Sequence, residues 1–201
     1  MKWLFIGPSI LAGIGQVTRK YAETVQGEYR QFNDPVSDES YDVGFAFVLP
    51  VKQHLDAVDN HLAKCKRRMY MTVCETETVH PAYKILVDLY KTIYVPSEFC
   101  RRVFSRQFPH GDWRVLRHVA SGKPIPPPVN SKPYTFYTIG NMNDFRKNVK
   151  ILIEAFIRLN NPNTRLVIKS TGLQPFKCNI PRIIVINELL DENEMEDLHK
   201  N

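Results

Sequence analysis

The chain has 201 residues, 43% of them hydrophobic and 24% charged, with a net charge of +6 at pH 7. That composition excludes a coiled coil, a collagen-like chain and a wholly disordered polymer, and it leaves enough apolar material for a sizeable core. The length fits one large or two modest domains. No run of about 18 apolar residues predicts a membrane span. Met1–Pro8 is too short and too soon broken to serve as a signal h-region, so the expected compartment is the cytoplasm.

In chain order, Lys2–Ile6 is a short apolar run that predicts a buried strand. Gly13-Ile14-Gly15 follows, then Val17, Tyr21, Ala22 and Val25 at helical spacing, a strand–glycine loop–helix sequence. Glu28–Phe32 reads as a second strand and Asn33–Ser40 as a polar loop. Val43–Leu49 is continuously apolar, as a strand buried on both faces requires. Val51–Lys64 places Leu55, Val58 and Leu62 on one helical face. Arg67–Val73 reads as a strand, Pro81–Lys91 as a helix opened by proline, and Thr92–Val95 as a strand. Ser97 is a suitable N-cap for a helix over Glu98–Arg106, and Trp113–Val119 is another strand. Such alternation predicts an α/β domain, a parallel sheet with helices on both faces, over residues 1–119.

Residues 120–133 hold a cluster of prolines at positions 124 and 126–128 and read as an extended, semi-rigid linker. Beyond it the alternation restarts over residues 134–201. Strand Tyr134–Ile139, polar loop Gly140–Arg146 and helix Asn148–Leu159 come first. Strands Thr164–Ile168 and Arg182–Ile186 and an acidic helix Asp191–His199 follow. Only about three strands are available here, about half a usual domain, so the expected sheet has an uncovered edge and this domain is expected to be incomplete. A partner covering that edge is one consequence.

The charge is unevenly placed. Residues 131–187 are strongly basic and the tail 188–201 is acidic. A basic surface suits nucleic acid, a phosphorylated small molecule or the face of an acidic membrane. Cys65, Cys74, Cys100 and Cys178 form no Cys-x-x-Cys pair and read as reduced core or boundary thiols.

Three segments carry chemistry-bearing residues. In Gly7–Gln16, Gly13 and Gly15 either form a tight strand-to-helix turn or let a backbone approach a phosphate at a helix start. The spacing is neither Gly-x-Gly-x-x-Gly nor a Walker loop, and it speaks against a dinucleotide enzyme. In Gly140–Asn148, Arg146 and Lys147 lie near a helix N-terminus at a strand's carboxyl end. That is the ligand crevice of open α/β sheets. Cations there oppose the helix dipole unless an anion lies between; the alternative is a solvated basic loop. In Cys74–Pro81, Glu75 and Glu77 follow a strand end with His80, a place for acid/base work or a loop with one capping acid. Two residues apart, the two carboxylates cannot share a face of extended chain. Glu188 and Glu196 read as a solvated face. His54 and His61 lack the partners of a zinc site. Residues 91–117 interleave basic and aromatic residues, but most of those aromatics fit core positions, so nucleic-acid binding is not expected.

In order along the chain, several of these segments resemble retaining GT-B glycosyltransferases of the family-4-like group. Ala12-Gly13-Ile14-Gly15 is similar to their Gly-Gly-Ile-Gly loop, and Glu75–Pro81 to their Glu-Thr-Asp-x-x-Pro segment. Val95-Pro96-Ser97-Glu98-Phe99, followed by Phe104, resembles their strand-to-helix step. Gly140-Asn141 with Arg146-Lys147-Asn148, then Leu152–Phe156 and Leu166–Lys169, resembles the start of their donor domain. The resemblance implies two Rossmann-like domains. The first takes a glycan or other hydroxyl acceptor and the second a nucleotide-diphospho-sugar, with no metal or further cofactor. It implies that Lys147 contacts the donor diphosphate and that Gly140, Asn141 and Arg146 frame it. Gly13 and Gly15 would approach from the first domain, and Glu75 would lie near the acceptor hydroxyl as base. Two departures are visible. Asn141 stands where the family usually has arginine, and the family's Glu-x7-Glu region falls beyond residue 201, because Glu188 and Glu196 come too early. The implied alternative is a catalytically inactive GT-B remnant that binds a nucleotide, a glycan or a protein.

Overall fold

The computed structural model describes residues 1–10, 13–119, 133–172 and 174–200. The chain divides into two compact units, Met1–Ser121 and Gly122–Asn201. The expected linker at 120–133 lies outside the described residues except for Pro133. No helix among the described residues is long and apolar enough to cross a membrane.

The first unit is a six-stranded parallel sheet: β1 (Trp3–Gly7), β2 (Glu28–Gln31), β3 (Tyr41–Phe47), β4 (Cys65–Met71), β5 (Thr92–Val95) and β6 (Asp112–Val115). Their order is β2-β1-β3-β4-β5-β6. The chain leaves β1 in one direction and returns past it to β3, so the order reverses between β1 and β3. Parallel neighbours need long crossovers, and a right-handed crossover fixes the face on which each helix packs. α1 (Gly13–Thr24) therefore takes one face. α2 (Lys52–Leu62), α3 (Lys84–Leu89) and α4 (Glu98–Gln107) belong to the crossovers that run the other way.

Strand alternation feeds both faces. Phe5, Phe45 and Met71 join Tyr21 and Ala22 of α1 in one cluster. Leu4, Ile6, Leu55, Leu62, Leu86 and Phe104 join in the other. The segment after β6 helps to close the α1 face: the Tyr21 hydroxyl donates to the Arg117 carbonyl (2.9 Å) and the His118 ring stacks on Phe47 at 6.0 Å. Burial there pushes the Tyr21 hydroxyl up to about 12 and the His118 imidazole down from its ordinary value.

Three elements differ from the sequence expectation. The strand expected at Trp113–Val119 ends at Val115. Gly13 and Gly15 lie inside the first turn of α1, not in a loop before it. The helix expected at Pro81–Lys91 is a 3-10 turn, Pro81–Tyr83, followed by α3. His80 Nδ1 accepts the Ala82 N–H at 3.1 Å, which tightens the first turn.

The second unit is a three-stranded parallel sheet, β7 (Tyr134–Gly140), β8 (Thr164–Ser170) and β9 (Ile183–Ile186), with β8 central. α5 (Val149–Leu159) follows β7, and α6 (Glu192–Lys200) follows β9. Leu166, Ile168 and Ile183 pack with Phe156 of α5 and with Met142. The other face carries Thr135, Arg165, Val167 and Ile184. A groove of about 420 Å³ lies there, walled by Leu190, Leu198 and polar residues of α6. Tyr134, Tyr137 and Ile184 remain exposed.

Candidate functional site

The segment from Gly140 to Val149 is built by local rules. β7 ends at Gly140, where φ is +156°. The Asn141 side-chain oxygen accepts the Asn143 N–H (3.1 Å), and the Asn143 side-chain amide donates to the Gln174 carbonyl (3.3 Å). This Asx turn closes the segment onto the loop after β8. A Cβ placed on Gly172 would lie 2.5 Å from Asn141 Oδ1, so a side chain there would force the two loops apart.

Asp144 then caps a 3-10 turn, Phe145–Lys147, accepting the Arg146 N–H at 3.0 Å. The same carboxylate takes the Arg146 guanidinium as a fork: Nε to Oδ2 at 3.1 Å and Nη2 to Oδ2 at 2.7 Å. That pairing holds the Asp144 carboxyl below the usual carboxylate range. Arg146 thus carries its own counter-charge two residues away. Both groups are solvent-accessible, so the pair contributes only about 0–1 kcal/mol of stability, yet it cancels most of the field that Arg146 would direct at an anion.

Lys147 is different. A Cβ on Gly140 would meet Lys147 Cε at 3.1 Å and Cδ at 3.4 Å, so the lysine stem lies across Gly140 at the carboxyl end of β7. It forms no ion pair with a described residue. Asn148 follows in the left-handed conformation (φ 51°) and opens α5 without a side-chain cap. The first N–H groups of α5 therefore keep the partial positive charge of an uncapped helix start.

Two residues at the end of β8 belong to the same place and were not singled out from the sequence. Ser170 pairs with Gly140 across the two strands. Its hydroxyl is buried, with 2% of the residue exposed, and has no hydrogen-bond partner among the described residues. Alternation puts Ser170 on the face of Leu166 and Ile168, the face that α5 covers. Lys169 points to the opposite face and is 3% exposed. Its ammonium donates to the Ser170 carbonyl (2.8 Å) and forms no ion pair with a described residue. An orphaned hydroxyl and a buried ammonium without a carboxylate each carry a desolvation cost, and an anionic ligand relieves it. The sequence signal was weak: Lys-Ser at the end of an apolar strand is a common solvent exit.

In the first unit the predicted residues have separate roles. A Cβ on Gly15 would fall 2.5 Å from the Pro8 carbonyl oxygen and against that of Ser9, so Gly15 is required by the chain's own close packing. A Cβ on Gly13 would meet nothing within 4 Å among the described residues and Gly13 is exposed, so of these two glycines it is the one with open backbone. Beside it, where the strand order reverses, lies an apolar cavity of about 80 Å³ whose lining includes Pro8, Phe32, Leu49 and His54. Phe32 and His54 stack at 4.5 Å.

Glu75 is exposed in the segment that leaves β4. α4 straps that segment at two points. The Cys100 thiol donates to the Cys74 carbonyl (3.4 Å). Farther along, the Gln107 amide holds both backbone groups of Val79, accepting its N–H at 3.0 Å and donating to its carbonyl at 2.6 Å. Burial, with the neighbouring Cys100 thiol, pushes the Cys74 thiol up to about 12. The Cys74 sulfur is therefore held as a protonated core thiol.

Among the described residues no group of three or more His, Cys, Asp or Glu is placed to hold a metal ion. No protein-family model matches this sequence, and no curated protein is detectably similar to it.

Proposed function

We propose that the chain is built as a retaining glycosyltransferase of GT-B type, with the second unit binding a nucleotide-diphospho-sugar and the first taking a hydroxyl acceptor. The observation that carries this reading is the set of groups at the carboxyl ends of β7 and β8. Lys147 lies over Gly140 there, α5 starts without a side-chain cap, and the Ser170 hydroxyl has no hydrogen-bond partner among the described residues.

In the proposed transfer the bond from the sugar C1 to the diphosphate oxygen breaks, and the nucleoside diphosphate leaves with the electron pair. The acceptor oxygen bonds to C1 on the same face and its proton is released. The departing diphosphate gains negative charge as the bond lengthens. A fixed ammonium and helix N–H groups stabilise that charge more than they stabilise the intact donor. Glu75 is the carboxylate of the first unit assigned to receive the acceptor proton. Gly13, whose backbone is open, is the first-unit glycine that supports contact with the donor; Gly15 is satisfied within the chain. With Asn141 in place of an arginine and Arg146 held by Asp144, Lys147 carries most of the ionic grip.

The test is titration of UDP- and GDP-sugars into the chain and its Lys147→Ala variant. The expected result is binding by the parent and a loss of about tenfold or more in the variant. Equal and negligible affinity in both refutes the reading. Binding that depends on Lys147 without sugar transfer to any hydroxyl acceptor selects the alternative, a nucleotide-binding module of the same architecture.

A further inference from the structure

A second place on the first unit has the chemistry of an anion site. Along α4, Phe99, Arg102, Val103 and Arg106 recur at three- and four-residue intervals and form one stripe. That stripe and Glu77 line a cavity of about 330 Å³. Glu77 reaches it because the strap described above lays the segment after β4 along α4.

Arg106 is anchored, donating from its guanidinium to the Glu77 carbonyl. Arg102, one turn earlier, is exposed and forms no hydrogen bond or ion pair with a described residue. Arg101, on the neighbouring stripe, is neutralised by Glu98 at 2.7 Å. Two arginines four residues apart repel and weaken an isolated helix. Here they converge on a concavity, with Arg106 fixed and Arg102 open. Their planar forks match the oxygens of a phosphate. The Phe99 ring supplies an apolar wall at the same opening. The Glu77 carboxylate, which makes no side-chain hydrogen bond with a described residue, is an acceptor for a hydroxyl group.

We infer that the groove formed by Phe99, Arg102, Arg106 and Glu77 binds a phosphate monoester on a hydroxyl-bearing ring, as in a sugar phosphate. The arginines take the phosphate, the phenylalanine packs on the ring face, and the carboxylate accepts from a ring hydroxyl. This site is made wholly of first-unit residues and does not rest on the assignment of Lys147.

The experiment uses the full chain and titrates glucose 6-phosphate, glucose and inorganic phosphate by calorimetry and by amide chemical-shift mapping. The inference expects glucose 6-phosphate to bind more tightly than either fragment, with shifts centred on residues 98–107 and 75–79. Arg102→Ala is expected to weaken it by about tenfold or more. Glu77→Gln is expected to weaken glucose 6-phosphate without affecting inorganic phosphate. Both side chains are exposed, so these variants keep the fold. Lys147→Ala serves as the separating control: it is expected to leave glucose 6-phosphate binding intact whatever happens to nucleotide-sugar binding. Equal affinity for glucose and its phosphate, unchanged affinity in Arg102→Ala, or shifts confined to residues 140–150 each overturn the inference. So does preferential binding of a single-stranded RNA oligomer over the sugar phosphate.

Discussion

The first unit covers both faces of its sheet, with α1 on one side and α2, α3 and α4 on the other, whereas the second packs α5 against one face and leaves a groove and the exposed Tyr137 ring on the other. The same strand–helix–strand order therefore yields unequal cores. In the first unit Phe104 is fully buried and stacks on Trp113 at 4.5 Å. In the second, the buried core ring Phe156 lies under the Arg182 guanidinium at 5.2 Å. Buried polar atoms without a hydrogen-bond partner among the described residues occur in both units, His61 Nδ1 and Thr72 Oγ1 in the first and Ser170 Oγ in the second, but the buried ammonium without an ion pair among the described residues, Lys169, is in the second.

The largest effect that would sharpen this contrast is a pair of truncations. Phe104→Ala and Phe156→Ala are each expected to cost about 3–5 kcal/mol, each in its own unit, because both rings are buried. Urea unfolding followed by circular dichroism and by Trp113 fluorescence should show two transitions, with Phe156→Ala moving the earlier and Phe104→Ala the later. A single transition moved equally by both would break the comparison.

Next in size are the two glycines of α1. Gly15→Ala should destabilise by about 1–3 kcal/mol through its clash with the Pro8 and Ser9 carbonyls. Gly13→Ala should leave thermal stability unchanged or raise it slightly, since helices favour alanine. If Gly13→Ala nevertheless weakens nucleotide-sugar binding, its openness serves the ligand.

Lys169→Met removes a buried charge and keeps the volume. Unfolding should show unchanged or greater stability, while affinity for the nucleotide sugar falls. A clear loss of stability would mean that the ammonium is a structural group of the strand end.

The pH response offers a smaller effect, confined to the first unit. His118 is held neutral by burial, with its folded value below the ordinary 6.5. The unfolded chain then binds more protons as the pH falls below about 6.5, so stability declines on acidification from pH 7 to pH 5. His118→Phe, which keeps the stack on Phe47, should flatten that slope in melting curves of the later transition.

The smallest effect is chemical. Cys178 is partly exposed, while Cys65, Cys74 and Cys100 are buried. An alkylating reagent should modify Cys178 first and the other three only as the first unit opens.

Much of this fold was readable from apolar periodicity. The strands from β1 to β9 and the helix capped by Ser97 fall within two residues of expectation at most boundaries, because continuously apolar runs and a capping serine leave few alternatives. The glycines of α1 were misplaced because glycine signals a loop locally, whereas Gly15 answers a contact with Pro8 and Ser9 that only the folded chain creates. Arg146 and Lys147 were indistinguishable as a basic pair. The Asp144 turn decided which of them is held in an ion pair, and a turn's hydrogen bonds are not encoded in charge spacing. Ser170 and Lys169 escaped notice because burial at a strand end depends on loops from elsewhere in the unit. The stripe on α4 was visible as a mixture of basic and aromatic residues. The division of α4 into buried Phe104 and open Phe99 and Arg102 required the helix to be seated.

The two-handed grip of Gln107 on Val79 makes the acid-bearing loop a passenger of α4. A rigid rotation of that helix carries Glu75 and Glu77 with it, so whatever occupies the arginine groove also sets the position of the carboxylates at the sheet's end. Asparagine at 107 falls one methylene short of the clasp and would uncouple the two.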